Sequence, residues 1–61
     1  MMTQYQKGIV VMDYLQELKV DWEDIGLAIC DENLETSYRL IKENSNITKT
    51  ELFARLKTEN V

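Results

Sequence analysis

Asp21-Trp22-Glu23-Asp24-Ile25-Gly26-Leu27-Ala28-Ile29-Cys30-Asp31-Glu32-Asn33-Leu34-Glu35-Thr36-Ser37-Tyr38-Arg39-Leu40-Ile41-Lys42-Glu43-Asn44 is the stretch on which the fold turns. It reads as a short helix, a tight turn and a second short helix. Asp21 is a suitable N-cap, and Glu23 and Asp24 fall in the first turn, where the helix dipole favours negative charge. Val20 before the cap and Ile25 four residues into the helix are spaced for a hydrophobic staple. Trp22, Ile25 and Ile29 share a face with Ala28 alongside, which puts Trp22 in the core and ends the helix near Cys30. Asp31-Glu32-Asn33 is the turn, and either Asp31 or Asn33 can cap the next helix. That helix turns Leu34, Ser37, Tyr38 and Ile41 inward with Leu40 flanking, and Arg39, Lys42 and Glu43 outward. Asn44-Ser45-Asn46 breaks the pattern.

Working outward toward the N-terminus, Thr3-Gln4-Tyr5-Gln6 has the Thr-x-x-Gln form of a capping box. It starts a first helix expected to run to about Lys19. Gly8, Val11, Leu15 and Leu18 make one apolar stripe, with Met12 and Tyr14 beside it. Tyr5, Ile9 and Met12 make a second, so the apolar surface is wider than one neighbouring helix needs. Gly8 costs about 1 kcal/mol relative to alanine in a helix interior. Fraying at this end explains it better than a close backbone approach. Ile9-Val10-Val11-Met12 is also β-prone, but the helical period continues through Leu15 and Leu18, and no second segment offers a partner strand.

Toward the C-terminus, Thr48-Lys49-Thr50-Glu51 is a second capping box, and Ile47 is spaced to meet Leu52 as a staple. The helix it starts buries Leu52, Phe53 and Leu56 and is expected to fray through residues 57–61. The chain has no proline, no repeats and no low-complexity tract. The fold class is therefore all-α: one domain over residues 1–61, a compact bundle of three to four short helices with a helix-turn-helix-like core.

A 61-residue chain buries only about 60% of the surface its unfolded form exposes. Cys30 is the only cysteine and histidine is absent, so neither an intrachain disulfide nor a zinc site is available to stabilise it. Helix packing or association must do so. The missing histidine also removes the commonest general acid–base and the Ser-His and Cys-His nucleophile pairs. Cys30 closes a helix, whereas reactive thiolates sit at helix N-termini or beside cations. It reads as a small buried core residue. The carboxylates form no Asp-x-Asp-x-Asp-Gly loop, and Gly8 and Gly26 are isolated rather than part of a phosphate loop. We expect no enzyme, no metal and no cofactor.

Seven basic and eleven acidic residues give a net charge of −4. Residues 13–35 carry eight of the carboxylates against Lys19 alone, whereas residues 36–61 carry five cations against three. The acidic segment suits a basic protein partner and disfavours nucleic acid and anionic membranes. No apolar run approaches the roughly 20 residues of a membrane span, and with no basic n-region followed by an apolar h-region no signal peptide is expected. A cytoplasmic protein is expected.

Thr36-Ser37-Tyr38-Arg39-Leu40-Ile41-Lys42-Glu43-Asn44 resembles the recognition-helix segment of excisionase-like and Cro/repressor-like helix-turn-helix regulators, which show a Thr-x-Tyr-Arg-Leu-Ile-Lys run. The resemblance covers about a third of the chain. It implies that Thr36, Arg39 and Lys42 face the DNA major groove while Tyr38 and Ile41 pack inward. Asp31-Glu32-Asn33 replaces the family's Gly-hydrophobic-Ser/Thr turn, and Glu32 and Glu35 lie where phosphates would come close.

Compact acidic chains of this kind also resemble phage or mobile-element regulators, antirepressors and inhibitors. The first reading is thus a small acidic regulatory protein that binds a protein partner, through Asp13, Glu17, Asp21, Asp24, Tyr5 and Tyr14. Direct DNA binding through Thr36, Arg39 and Lys42 is the second. A structural module that associates with itself through the first helix is the third.

Overall fold

Four helices follow one another in a computed structural model that describes residues 2–59. They are α1 (Gln4–Glu17), α2 (Trp22–Ile29), α3 (Leu34–Glu43) and α4 (Lys49–Glu59). No strand occurs among the described residues, so the all-α bundle of short helices is the architecture.

Each helix start has a local cause. At α1 the Gln6 N–H donates to Thr3 Oγ1 at 3.1 Å and the Thr3 N–H to Gln6 Oε1 at 2.9 Å, which completes the capping box. At α4 the Glu51 N–H donates to Thr48 Oγ1 at 3.2 Å. Ile47 and Leu52, the two arms of the expected staple, are both buried. Asp21 occupies the N-cap of α2 with extended backbone but makes no side-chain cap hydrogen bond. Its contribution is limited to charge near the helix dipole.

The end of α1 differs from the sequence reading. The helix stops at Glu17 rather than Lys19, because Lys19 adopts a left-handed conformation with φ of 61°. Its N–H donates to Gln16 O at 3.0 Å, and the Val20 N–H donates to Leu15 O at 3.1 Å. This is a Schellman ending, in which two otherwise orphaned helix carbonyls are satisfied. Val20 and Leu15, the apolar pair that accompanies such an ending, are both buried. Val20 thus closes α1 and precedes the cap of α2, which makes this corner tight.

The α2–α3 corner is closed by side chains. The last carbonyls of α2 lack partners within the helix. Leu27 O accepts from Asn33 Nδ2 at 2.8 Å and from Cys30 Sγ at 3.1 Å, and Ala28 O accepts from the buried Ser37 hydroxyl at 2.9 Å. Asn33, not Asp31, holds the N-cap position of α3. Cys30 is half-buried rather than a full core residue, because it lies where the chain turns outward.

The core is built from Val11 and Leu15 of α1, Ile25 and Ala28 of α2, Leu34, Leu40 and Ile41 of α3, and Ile47, Leu52 and Leu56 at α4. Leu40 is buried, not flanking, because α3 is covered from more than one side. It packs against α1, α2 and α4, whereas α2 and α4 touch only lightly. Trp22, expected in the core, is 66% exposed. The buried stripe of α2 centres on Ile25 and Ala28, leaving Trp22 at its margin in the first helical position, with no helix over it. Tyr38 is half-buried. Gly8 lies within α1, and a Cβ built there meets nothing within 4 Å, so no close backbone approach requires it. α4 stays helical through Glu59 rather than fraying from Lys57. Asn60 and Val61, the rest of the expected frayed end, lie outside the described residues.

Candidate protein-binding surface

The polar residues of α2 and its cap are acidic: Asp21, Glu23 and Asp24, all exposed. Two large apolar side chains stand among them, Trp22 and Leu27, the latter 56% exposed. At 100° per residue, Leu27 and Asp24 lie on one flank of α2 and Trp22 on the other. One short helix therefore presents two apolar contacts on opposite flanks, with the carboxylates between them and on the Leu27 side.

The flank bearing Leu27 and Asp24 borders an open groove of about 770 Å³ between α2 and α4. Val20 and Leu56 lie at its floor, and Leu27 and the half-buried Phe53 on its walls. Asp21 and Asp24 stand along the α2 side, and Lys49 and Lys57 along the α4 side.

The six residues selected from sequence for a protein partner do not form one site. Asp21 and Asp24 share the α2–α4 groove. Glu17 and Tyr14 share a smaller hollow of about 420 Å³ between α1 and the α3–α4 loop. The Tyr14 hydroxyl is bonded there, at 2.5 Å to Ile47 O and 3.2 Å to Ser45 O, so this side chain ties the loop to α1. Tyr5 is 78% exposed near the start of α1, and Asp13 is exposed farther along it. Sequence reasoning passed over Leu27, Lys49 and Lys57 as surface contacts, and it placed Phe53 in the core, where the structure leaves it half-buried with one side open to the groove. Leu27 did carry a signal: it is a large apolar residue out of phase with the Ile25–Ala28–Ile29 stripe.

On the outer face of α3, Thr36 is half-buried while Arg39 and Lys42 are exposed. The Arg39 guanidinium bonds the Glu59 carboxylate and lies 3.5 Å from Glu43, and Arg55 Nε lies 3.8 Å from Glu59. The Glu59 hydrogen bond first, then its charge and that of Glu43, hold the Arg39 pKa above the ordinary arginine value. Glu35, at the start of α3, accepts from Lys7 Nζ at 2.6 and 2.8 Å. The same ammonium lies 5.6 Å from the centre of the Tyr38 ring.

Among the described residues no group of three acidic or cysteine side chains converges, and no helix is long and apolar enough to cross a membrane. No family model, curated protein or solved structure matches the chain.

Proposed function

We propose that this chain is a small non-enzymatic binding protein of the regulator or inhibitor type, which docks a basic surface of another protein onto α2. The observation that carries this reading is the exposed Trp22 on an acidic helix. Carboxylates on a helix are ordinary solvated surface, but tryptophan is usually highly buried and is enriched among residues that anchor interfaces. The acidic flank steers a cationic partner and rejects anionic ones, while the indole supplies most of the affinity. Direct DNA binding ranks second because the principal cation of α3, Arg39, is engaged by two carboxylates.

The test is affinity capture from a cell extract at about 0.1 M salt, where charge screening acts over about 10 Å. Immobilised wild-type protein is compared with Trp22→Ala and Glu23→Lys. A basic protein retained by wild type should be lost by at least about 30-fold on Trp22→Ala, the loss of an anchor worth ~2 kcal/mol, and should weaken on Glu23→Lys. Equal retention by all three sinks the reading.

A further inference from the structure

The two sides of the α2–α4 groove carry opposite charge and do not neutralise each other. Asp21 and Asp24 line one side and Lys49 and Lys57 the other. Among the described residues no ion pair crosses between them, although Lys7–Glu35 and Arg39–Glu59 show that this small surface pairs charges elsewhere. Between these sides lie Val20, Leu27, Phe53 and Leu56, with Asn33 and Thr50 beside them, and the groove stays unfilled because α2 packs on α1 and α3, and α4 on α3, rather than on each other. Its volume is about 770 Å³.

Building on the protein-binding reading of α2, we propose that this groove receives one amphipathic α-helix of the partner protein. An added strand has no place to dock, since no sheet edge exists among the described residues. Two helices lying apart leave a trough into which the ridges of a third can pack. The docked helix carries apolar side chains at i, i+3 or i+4, and i+7, set over Leu27, Phe53 and Leu56. Cations line its flank toward Asp21 and Asp24, and carboxylates its flank toward Lys49 and Lys57. This polarity also fixes direction: run the other way, the same helix sets cations against Lys49 and Lys57.

The probe is a synthetic capped peptide of about 20 residues, beyond the roughly 12–15 at which isolated helices are marginal. It has leucines along one stripe, lysines along one flank and glutamates along the other. A control peptide has glutamates on both flanks. Titrated into the full chain and followed by amide chemical shifts, the mixed peptide should give saturable changes at Leu27, Thr50, Phe53 and Lys57. The control should bind at least about tenfold more weakly at low salt. Leu27→Asp should abolish binding. The Lys49→Glu/Lys57→Glu protein should instead prefer a peptide with lysines on both flanks.

Absence of saturable shifts up to about 1 mM peptide overturns the proposal, as do shifts centred on the Tyr5–Ile9 face of α1 or affinities indifferent to flank charge. Shifts at the same groove amides on raising protein concentration alone would assign the groove to a second copy, and overturn it too. Trp22 and Glu23 do not line the groove. Capture that depends on them can therefore succeed while the peptide fails, which separates loss of the groove assignment from loss of the protein-binding reading.

Discussion

The α1–α3 side of the molecule and the α2–α4 side are built on different terms. Between α1 and α3 the fully buried Val11 and Leu15 pack beneath a lid of polar ties: Lys7 to Glu35, and Lys7 over the Tyr38 ring. Next to it, Tyr14 fastens the loop after α3. Between α2 and α4 there is open space, an exposed leucine and opposed charges that form no ion pair with each other among the described residues. A domain this small cannot bury all four helices against one another. It spends its apolar surface on α3 and what touches α3, and leaves the α2–α4 side open. Stability and binding should therefore be separable by mutation.

The largest effect should come from the closed side. Leu15→Ala removes a fully buried side chain and should cost about 3 kcal/mol (range 2–5). That is a large share of the ~3–9 kcal/mol expected for a chain of this length. Leu27→Ala, the same chemical change on the open side, should cost under about 1 kcal/mol. Urea unfolding followed by circular dichroism measures both, since an indole as exposed as Trp22 reports folding poorly. Equal losses would break the comparison.

Next in size is Ser37→Ala. It leaves the Ala28 carbonyl at the end of α2 without the buried hydroxyl that donates to it, and should cost about 1–3 kcal/mol in the same unfolding experiment. A loss near zero would mean that the α2–α3 corner does not depend on this bond. α2 would then be held by its buried Ile25 and Ala28 and by the Asn33 and Cys30 bonds to the Leu27 carbonyl.

Lys19→Gly should act in the opposite direction. Lysine at φ of 61° adopts a conformation that costs L-residues about 1–2 kcal/mol and glycine little. The substitution should stabilise by roughly 1 kcal/mol, read as a higher midpoint in urea with unchanged slope. A destabilised variant would mean that the lysine stem packs usefully on the α1–α2 corner.

What was legible in the sequence was what is local. The starts of α1 and α4 depend on residues within five positions of one another, so Thr3–Gln6 and Ile47–Thr48–Leu52 could be read directly. The end of α1 was misread because its stop is a left-handed lysine, and the usual signal there is glycine. Trp22 was misplaced because periodicity says which face of α2 is apolar but not how much of it a neighbour covers. Trp22 stays uncovered because no helix lies over its flank of α2, and that is decided by how the other helices are set rather than by α2 itself. The Arg39–Glu59 pair and the opposed sides of the groove join segments twenty or more residues apart, and nothing in either segment announces the other. The fold class rested on local signals, whereas the candidate site rests on how α2 and α4 are set.

The smallest expected change in stability carries the most information about function. Trp22 is 66% exposed, lies outside the core cluster, and occupies a first-turn position, where a single surface substitution shifts stability by about half a kcal/mol or less. Trp22→Ala should therefore unfold within that margin of wild type in urea while losing the captured partner. A tryptophan that merely covered the core would behave in reverse: the variant would lose a kilocalorie or more and retain whatever partner the wild type binds. The sign of that dissociation tells whether Trp22 serves the fold or its partner, and so whether α2 exposes its indole for binding or only because four short helices ran out of surface to bury.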